Sequence, residues 1–263
     1  MDEVNPLEKK INSLNLEIEK LKRGLEDSKQ FSSTVLLNLN HEIRTPLNGI
    51  LGFSEIINNP SISESERKYY SEIIVESSNL LMSIIFDTMD IAKINTGTFR
   101  VYPVSFDLND LMFQIYQNYK PVAEKKNLQL FLENVISTTK IIVSDPAVIE
   151  RILKKLIDNA LKFTKQGWVK YYYREDKDFI YFFVEDTGIG IQNEQREKIF
   201  ERFTRQPVSQ SRNLGGTGLD LSLCHGLVGL LGGKISLLPP KQEGSIFKFS
   251  VPHDYLFYIN NNR

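Results

Sequence analysis

The chain has 263 residues, of which 41% are hydrophobic and 25% charged, a balance typical of soluble globular proteins with about two domains. Its formal net charge of −1 excludes a strong overall attraction to nucleic acid, so we expect no nucleic-acid partner. Cys224 is the single cysteine, which excludes an intrachain disulfide and a cysteine-based metal site.

No apolar run reaches the roughly 18 residues that a membrane-spanning helix needs, and the first residues lack the core of a signal peptide. We therefore expect a cytoplasmic location. The chain would be either a soluble protein or the cytoplasmic part of a longer receptor with an upstream sensor or membrane domain.

The first segment, 1–30, has a clear apolar period. Four-residue and three-residue steps alternate along it, with Glu and Lys at many of the other positions. This is the seam of a parallel coiled coil, and it favours a dimer over a solitary helix, which would need a wider apolar stripe. The seam residues are Leu7, Ile11, Leu14, Ile18, Leu21 and Leu25.

The next segment, 31–97, predicts a helical hairpin. Pro60 and Ser61 break a long amphipathic stretch, Ser63 and Glu66 have the form of a capping box that starts a second helix, and Gly97 is a stop signal. One hairpin has too small a core to stand alone. We therefore predict a homodimer in which two hairpins form an all-α four-helix bundle.

Residues 98–255 predict an α/β domain, and 256–263 form a short tail. Strand-like runs and helical patterns occur in a mixed order, which indicates one sheet covered on one face by helices. The predicted strands are 99–106, 128–132, 140–143, 168–174, 179–185, 234–238 and 245–251. The predicted helices are 108–123, 146–163, 194–202 and 218–231.

A candidate catalytic histidine lies in the first helix of the hairpin. A histidine on its own is usually a surface residue, but His41 is followed by Glu42, which could accept a hydrogen bond from one imidazole nitrogen. That bond would fix the tautomer and make the other nitrogen a better nucleophile. Thr45 lies one turn later on the same face and could position a water molecule. Pro46 removes a backbone hydrogen bond just beyond, which predicts a kink.

Three polar and glycine-rich segments in the α/β domain are candidates for a nucleotide site, although each alone could be an ordinary helix face or turn. In the first, Asn159 offers an oxygen ligand suited to Mg²⁺ and Lys162 a phosphate contact. In the second, Asp186 could accept a hydrogen bond from adenine, and Gly188 and Gly190 permit close approach of the backbone.

The third segment, 215–221, opens a predicted helix whose N–H groups could bind phosphate. Its candidate binding residues are Gly216, Thr217, Gly218 and Leu219. Between the second and third segments lies a polar loop of the length often found in mobile lids. Arg202, in the stretch 199–203 that precedes this loop, could pair with phosphates or simply face solvent.

The string from His41 to Pro46 resembles the histidine box of sensor histidine kinases. The later segments resemble, in order, the asparagine, first glycine, phenylalanine and second glycine boxes of the same family. Its ATP-binding domain shares a Bergerat-type α/β sandwich with gyrase, the ninety-kilodalton heat-shock chaperones and mismatch-repair ATPases. The resemblance covers about 38–252.

This resemblance implies a two-component sensor kinase that uses ATP and Mg²⁺ to phosphorylate His41 and then an aspartate on the receiver domain of a response regulator. It implies that Glu42 is the general base and that Thr45 supports dephosphorylation of the response regulator. It also implies that Asn159 helps to hold Mg²⁺ and that Asp186 recognises adenine. Lys162 would touch phosphate, and Phe163 would line the base.

Two residues depart from the family pattern. Lys155 stands where these kinases usually have asparagine, and related ATPases have a glutamate that activates water; a lysine is a poor base there. Asp220 stands where glycine is expected near the triphosphate, and its charge predicts weakened ATP binding. These departures leave open a degenerate kinase that acts mainly as a response-regulator phosphatase or as a nucleotide-binding dimeric scaffold. A stand-alone ATPase would leave the histidine string unexplained.

Overall fold

The structure is a computed structural model that describes residues 39–133, 139–192, 195–196, 198–200, 218–240 and 243–261. The chain divides into two compact units, Met1–Ile84 and Ile85–Arg263. The predicted coiled coil at 1–30 lies outside the described residues. Within the described part, no helix combines the length and the apolar character needed to cross a bilayer.

The described part of the first unit is a helical hairpin, as predicted. Helix α1 is described over 39–57, and α2 runs over Glu64–Asn95 and continues into the second unit. The rings of Phe53 and Tyr70 stack across the hairpin with centroids 5.3 Å apart. A Cβ added at Gly49 would lie 3.1 Å from the Ser77 hydroxyl, so the helices are in close contact there.

The predicted capping box at the start of α2 is confirmed. The Glu66 carboxylate accepts the backbone N–H of Ser63 at 2.8 Å, and the Ser63 hydroxyl accepts the backbone N–H of Glu66 at 3.2 Å. These reciprocal bonds satisfy two donors that the helix itself cannot pair. The predicted stop is also found, because Gly97 follows α2 with a φ of 66° that favours glycine.

The second unit contains seven strands and, beyond the end of α2, four α-helices within the described residues. The strands are β1 (Val104–Asp107), β2 (Gln129–Leu132), β3 (Ile141–Ser144), β4 (Trp168–Glu175), β5 (Phe179–Asp186), β6 (Ile235–Leu238) and β7 (Ser245–Pro252). The helices are α3 (Leu108–Lys125), α4 (Pro146–Phe163), α5 (Asp220–Leu230) and α6 (Tyr255–Asn261).

A five-stranded sheet in the order β2-β4-β5-β7-β6 forms the centre of this unit. All of its pairs are antiparallel except β2 with β4. Alternate residues of β5 are buried, and its Phe182 stacks on Phe249 of β7 with centroids 4.6 Å apart. Tyr171 of β4 donates its hydroxyl to the Met112 carbonyl of α3 at 3.0 Å, which joins sheet and helix. The expected α/β sandwich is thus confirmed.

The structure corrects three details of the predicted domain. The expected single sheet is two sheets, because β1 and β3 pair with each other in a separate two-stranded sheet. The helix predicted at 194–202 is, in its described part, a short 3₁₀ turn at Lys198–Phe200. The predicted tail contains α6, whose first turn is capped because Asp254 accepts the backbone N–H of Phe257 at 3.0 Å.

Candidate functional site

The histidine lies on an exposed face of α1. The side chain of His41 is 76% exposed, and its Nδ1 lies 3.8 Å from a carboxylate oxygen of Glu42. The helix continues through Pro46, although proline has no backbone N–H to donate to the preceding turn. The Thr45 hydroxyl donates to the His41 carbonyl at 3.3 Å, so it lies one turn beyond the imidazole. An accessible ring nitrogen, an adjacent carboxylate and a nearby hydroxyl are therefore found together.

The carboxylate of Asp186, at the end of β5, is buried and held by hydrogen bonds. This residue is 6% exposed, and one carboxylate oxygen accepts the backbone N–H of Gly188 at 2.8 Å. The other oxygen accepts the hydroxyl of Ser245. Burial raises the pKa of Asp186 above its ordinary value, although these hydrogen bonds act in the opposite direction. The site therefore holds a fixed acceptor in a largely dry setting.

The end of α4 lies directly against the Asp186 turn. A Cβ at Gly188 would lie 2.5 Å from the carbonyl oxygen of Phe163, and that carbonyl accepts the N–H of Ile189 at 3.3 Å. Only glycine permits so close an approach at this position. The ammonium of Lys162 lies 5.3 Å from the centroid of the Phe163 ring. The structure thus brings together residues from two separate sequence segments.

Asn159 and Lys155 occupy one face of α4, a turn apart. Asn159 is partly exposed, and its amide makes no hydrogen bond to another residue of the described part of the chain. Lys155 is engaged, because its ammonium lies 2.7 Å from the carboxylate of Asp220. The two departures noted in the sequence therefore form one ion pair.

The start of α5 lies opposite this face. Gly218 has a φ of 66°, Leu219 is buried, and α5 begins at Asp220. No side chain caps this end of the helix. A helix N-terminus of this kind presents backbone N–H groups that suit phosphate oxygens. Gly190 also has a positive φ, 68°, and packs close to the backbone of Gly244.

Arg202, Gly216 and Thr217 lie outside the described residues, so their proposed phosphate contacts remain predictions. Within the described residues, no three His, Cys, Asp or Glu side chains form a group that could hold a metal ion. A metal at this site would accordingly depend on the Asn159 oxygen together with oxygen atoms of a ligand, the arrangement that Mg²⁺ commonly adopts with phosphates.

Sequence reasoning missed several residues that support the site. Ser245 fixes Asp186, and the Gly244–Ser245 pair at the start of a predicted strand could have signalled a close backbone approach there. Asp87 of α2 contacts Arg151 and Lys155 of α4. No local sequence pattern predicts these contacts, because the partners are 64 and 68 residues apart in sequence.

Two family models match the chain. Residues 31–97 match the His Kinase A (phospho-acceptor) domain, and residues 144–255 match the histidine kinase-, DNA gyrase B-, and HSP90-like ATPase. The first match contains the exposed histidine of α1. The second contains α4, the Asp186 turn and α5.

Known proteins are similar along most of the chain. The Autoinducer 2 sensor kinase/phosphatase LuxQ of Vibrio parahaemolyticus is 31% identical over 237 residues, covering 88% of this chain and 28% of LuxQ. The chain thus spans little more than a quarter of that relative. The full-length ShkA structure in complex with AMPPNP aligns with a TM-score of 0.61 and 26% identity, covering 85% of this chain and 45% of ShkA. The histidine kinase AdeS of Acinetobacter baumannii aligns with a TM-score of 0.64 at 22% identity, covering 81% of this chain and 98% of AdeS; it shows the shared fold.

Proposed function

Because the chain belongs to the sensor histidine kinases, we propose that it transfers the γ-phosphoryl group of ATP to His41 and then to an aspartate of a response regulator. Membership rests on the two matched domains and on the relatives. The observation that carries the proposal is the 76% exposed imidazole with a carboxylate at its Nδ1. A phosphoacceptor histidine must be accessible to bound ATP, and an exposed ring nitrogen is accessible.

The chemistry follows from the arrangement around His41. Glu42 lies near Nδ1, so a proton held at Nδ1 is stabilised by the carboxylate and Nε2 is left as the nucleophile. A bond forms between Nε2 and the γ-phosphorus while the bond from that phosphorus to the leaving ADP oxygen breaks. Catalysis of this step consists mainly of positioning and charge stabilisation.

ATP would bind between the end of α4, the Asp186 turn and the start of α5. Asp186 offers an acceptor to the amino group of adenine, and Phe163 an apolar surface to its ring. Lys162, Arg202 and the N-terminal end of α5 would contact phosphates, with Gly188, Gly190, Gly216, Thr217, Gly218 and Leu219 shaping the pocket. The relative ShkA was solved with AMPPNP, an ATP analogue, which supports a nucleotide site.

Asn159 would hold Mg²⁺ together with phosphate oxygens. The metal would supply positive charge that offsets the charge of the phosphate groups. The amide oxygen of Asn159 fits that role, because it makes no hydrogen bond to another of the described residues.

The test is incubation of the purified protein with Mg²⁺ and ATP labelled at the γ-phosphate. Wild-type protein should acquire an acid-labile label, and His41→Gln should acquire none. Undiminished label in His41→Gln would show that another residue is the acceptor. A dimer that binds nucleotide and never labels would instead indicate the degenerate scaffold.

A second activity, dephosphorylation of the response regulator, is favoured by the position of Thr45. Its hydroxyl lies one turn beyond His41 and bonds only weakly, at 3.3 Å, to a backbone carbonyl. LuxQ is described as a kinase and phosphatase. Thr45→Ala should retain labelling of His41 and lose dephosphorylation of a phosphorylated receiver domain. Equal dephosphorylation by Thr45→Ala and wild type would count against this activity.

We also propose that the protein is a homodimer through the helical hairpin. Large apolar side chains are exposed along both helices of the first unit, and such surfaces in soluble proteins mark interaction sites. They are Leu47, Leu51, Ile56, Tyr69, Val75, Leu80 and Met82. Pairing two hairpins would bury them in a four-helix bundle.

A further inference from the structure

An ion network within the second unit connects three helices. The ammonium of Lys155 on α4 is shared between two carboxylates, those of Asp220 at the start of α5 and Asp87 on α2. Arg151 lies one turn before Lys155 and contacts Asp87 at 3.0 Å and also Asp90. Lys155 is therefore the one residue of this network that contacts both α2 and α5.

The network is substantially shielded from water. The side chain of Asp87 is 4% exposed and that of Lys155 is 16% exposed. Burial acts to lower the pKa of Lys155, but the carboxylates of Asp220 and Asp87 outweigh burial and raise the pKa above its ordinary value. Lys155 therefore carries its full charge at neutral pH. Removing one member of a buried pair leaves an uncompensated charge, so the two contacts of Lys155 affect each other.

The ammonium is close to the groups that would bind phosphates. Lys155 precedes Asn159 by one turn of α4, and its partner Asp220 directly follows Gly218 and Leu219. A lysine ammonium is a compact charge on a flexible chain with three rotatable donors. It can therefore leave a carboxylate for a phosphate oxygen nearby without movement of the backbone.

We propose that Lys155 is a phosphate-binding residue of the nucleotide site, for which Asp87 and Asp220 compete with the nucleotide. Bound ATP draws the ammonium from Asp87 and weakens the attachment of this part of α2 to α4. The linkage is reciprocal, so weakening the contact of Lys155 with Asp87 strengthens nucleotide binding. The inference rests on the proposed ATP site and adds a residue that the family pattern does not supply, together with its control by α2.

The experiment compares the affinity of purified full-chain variants for Mg²⁺·AMPPNP by calorimetry. Lys155→Met should weaken binding about tenfold, as expected for loss of a charged hydrogen bond. Asp87→Asn should tighten binding about fivefold, the lower end of ordinary coupling between sites. Asp87→Asn should have no effect when Lys155→Met is also present, because the competition then no longer exists.

Asp90→Asn is the matched control. Asp90 lies on the same helix and contacts Arg151 and Lys93, and the described structure shows no ion pair between it and Lys155. Its replacement should change nucleotide affinity less than twofold. Thermal unfolding of every variant would identify any that fails to fold. Hydrogen exchange of residues 87–95 in the wild-type protein, with and without AMPPNP, gives an independent readout of the competition with Asp87. Bound nucleotide should accelerate this exchange.

The outcomes separate this inference from the proposed function. If wild type binds no nucleotide and does not label, the proposed function fails. If wild type binds and labels but Lys155→Met binds equally well, Lys155 is not a phosphate ligand. An equal gain from Asp87→Asn with and without Lys155, or unchanged exchange at 87–95, would overturn the competition.

Discussion

Replacing Asp186 with asparagine should separate nucleotide recognition from the stability of the fold. The amide has nearly the same shape as the carboxylate, and its oxygen can still accept the Gly188 N–H. In the wild-type protein this hydrogen bond is 2.8 Å long. Its nitrogen would then face Ser245, whose hydroxyl can accept as well as donate. The local structure is therefore retained, while one acceptor oxygen at the edge of the proposed adenine site becomes a donor.

The expected loss of affinity follows from that exchange. A hydrogen bond to a charged acceptor contributes about 1.5–3 kcal/mol, which corresponds to about 10- to 150-fold in Kd. The loss should lie at the upper end, because the new amide hydrogens would meet the amino hydrogens of adenine. Titration with AMPPNP measures it. Asp178→Asn, an exposed aspartate just before β5, is the control and should bind as wild type does.

The same substitution, which lowers nucleotide affinity, should raise the stability of the fold. Because burial raises the pKa of Asp186 from its ordinary 3.8, the folded state disfavours the ionised carboxylate. The free-energy penalty on the folded state is absent well below pH 3.8. It grows as the pH rises through the higher folded pKa, and it is complete above the folded pKa. Asp186→Asn should therefore gain stability over wild type as pH rises, as measured by chemical unfolding over a pH series. A variant with unchanged nucleotide affinity, or one less stable than wild type at neutral pH, would refute the reasoning.

Three further substitutions test the site, the helix start and the dimer. Gly188→Ala should lower nucleotide affinity at least tenfold in the same titration, because its Cβ would lie 2.5 Å from the Phe163 carbonyl oxygen; Gly229→Ala, with no atom within 4 Å, should bind normally. Ser63→Ala should reduce the free energy of unfolding by about 1 kcal/mol through loss of the cap, measured by urea denaturation, and an unchanged midpoint would contradict the role of the capping box. Leu51→Glu should convert dimer to monomer in sedimentation, since this side chain is 56% exposed in the single chain; a persistent dimer would locate the interface elsewhere.

Elements with strong local signals were predictable from the sequence. Helix α4 begins and ends at the predicted residues, because Asp145 caps it by accepting the N–H groups of Ala147 and Val148 and Pro146 occupies its first position. Strands β4, β5 and β7 were found to within one residue of their ends. Their alternating apolar residues face a core formed by the sheet and its helices.

Features that depend on distant partners were not predictable. The run at 99–106 has a strand-like composition, but only Val104–Asp107 has a partner strand, so the first part is not a strand. Helix α6 was missed although Asp254 supplies a cap, because the segment is short. The pairing of Lys155 with Asp220 joins residues 65 apart in sequence, and only the packing of α4 against α5 brings them together.

The central claim is that His41 receives the phosphoryl group of ATP, and its direct test is the location of the modification. Protein incubated with Mg²⁺ and ATP would be digested at alkaline pH, where phosphohistidine survives, and its peptides sequenced by mass spectrometry. Phosphate is expected on the imidazole of His41. Phosphate on another residue of a protein that binds ATP, or on none, would contradict it.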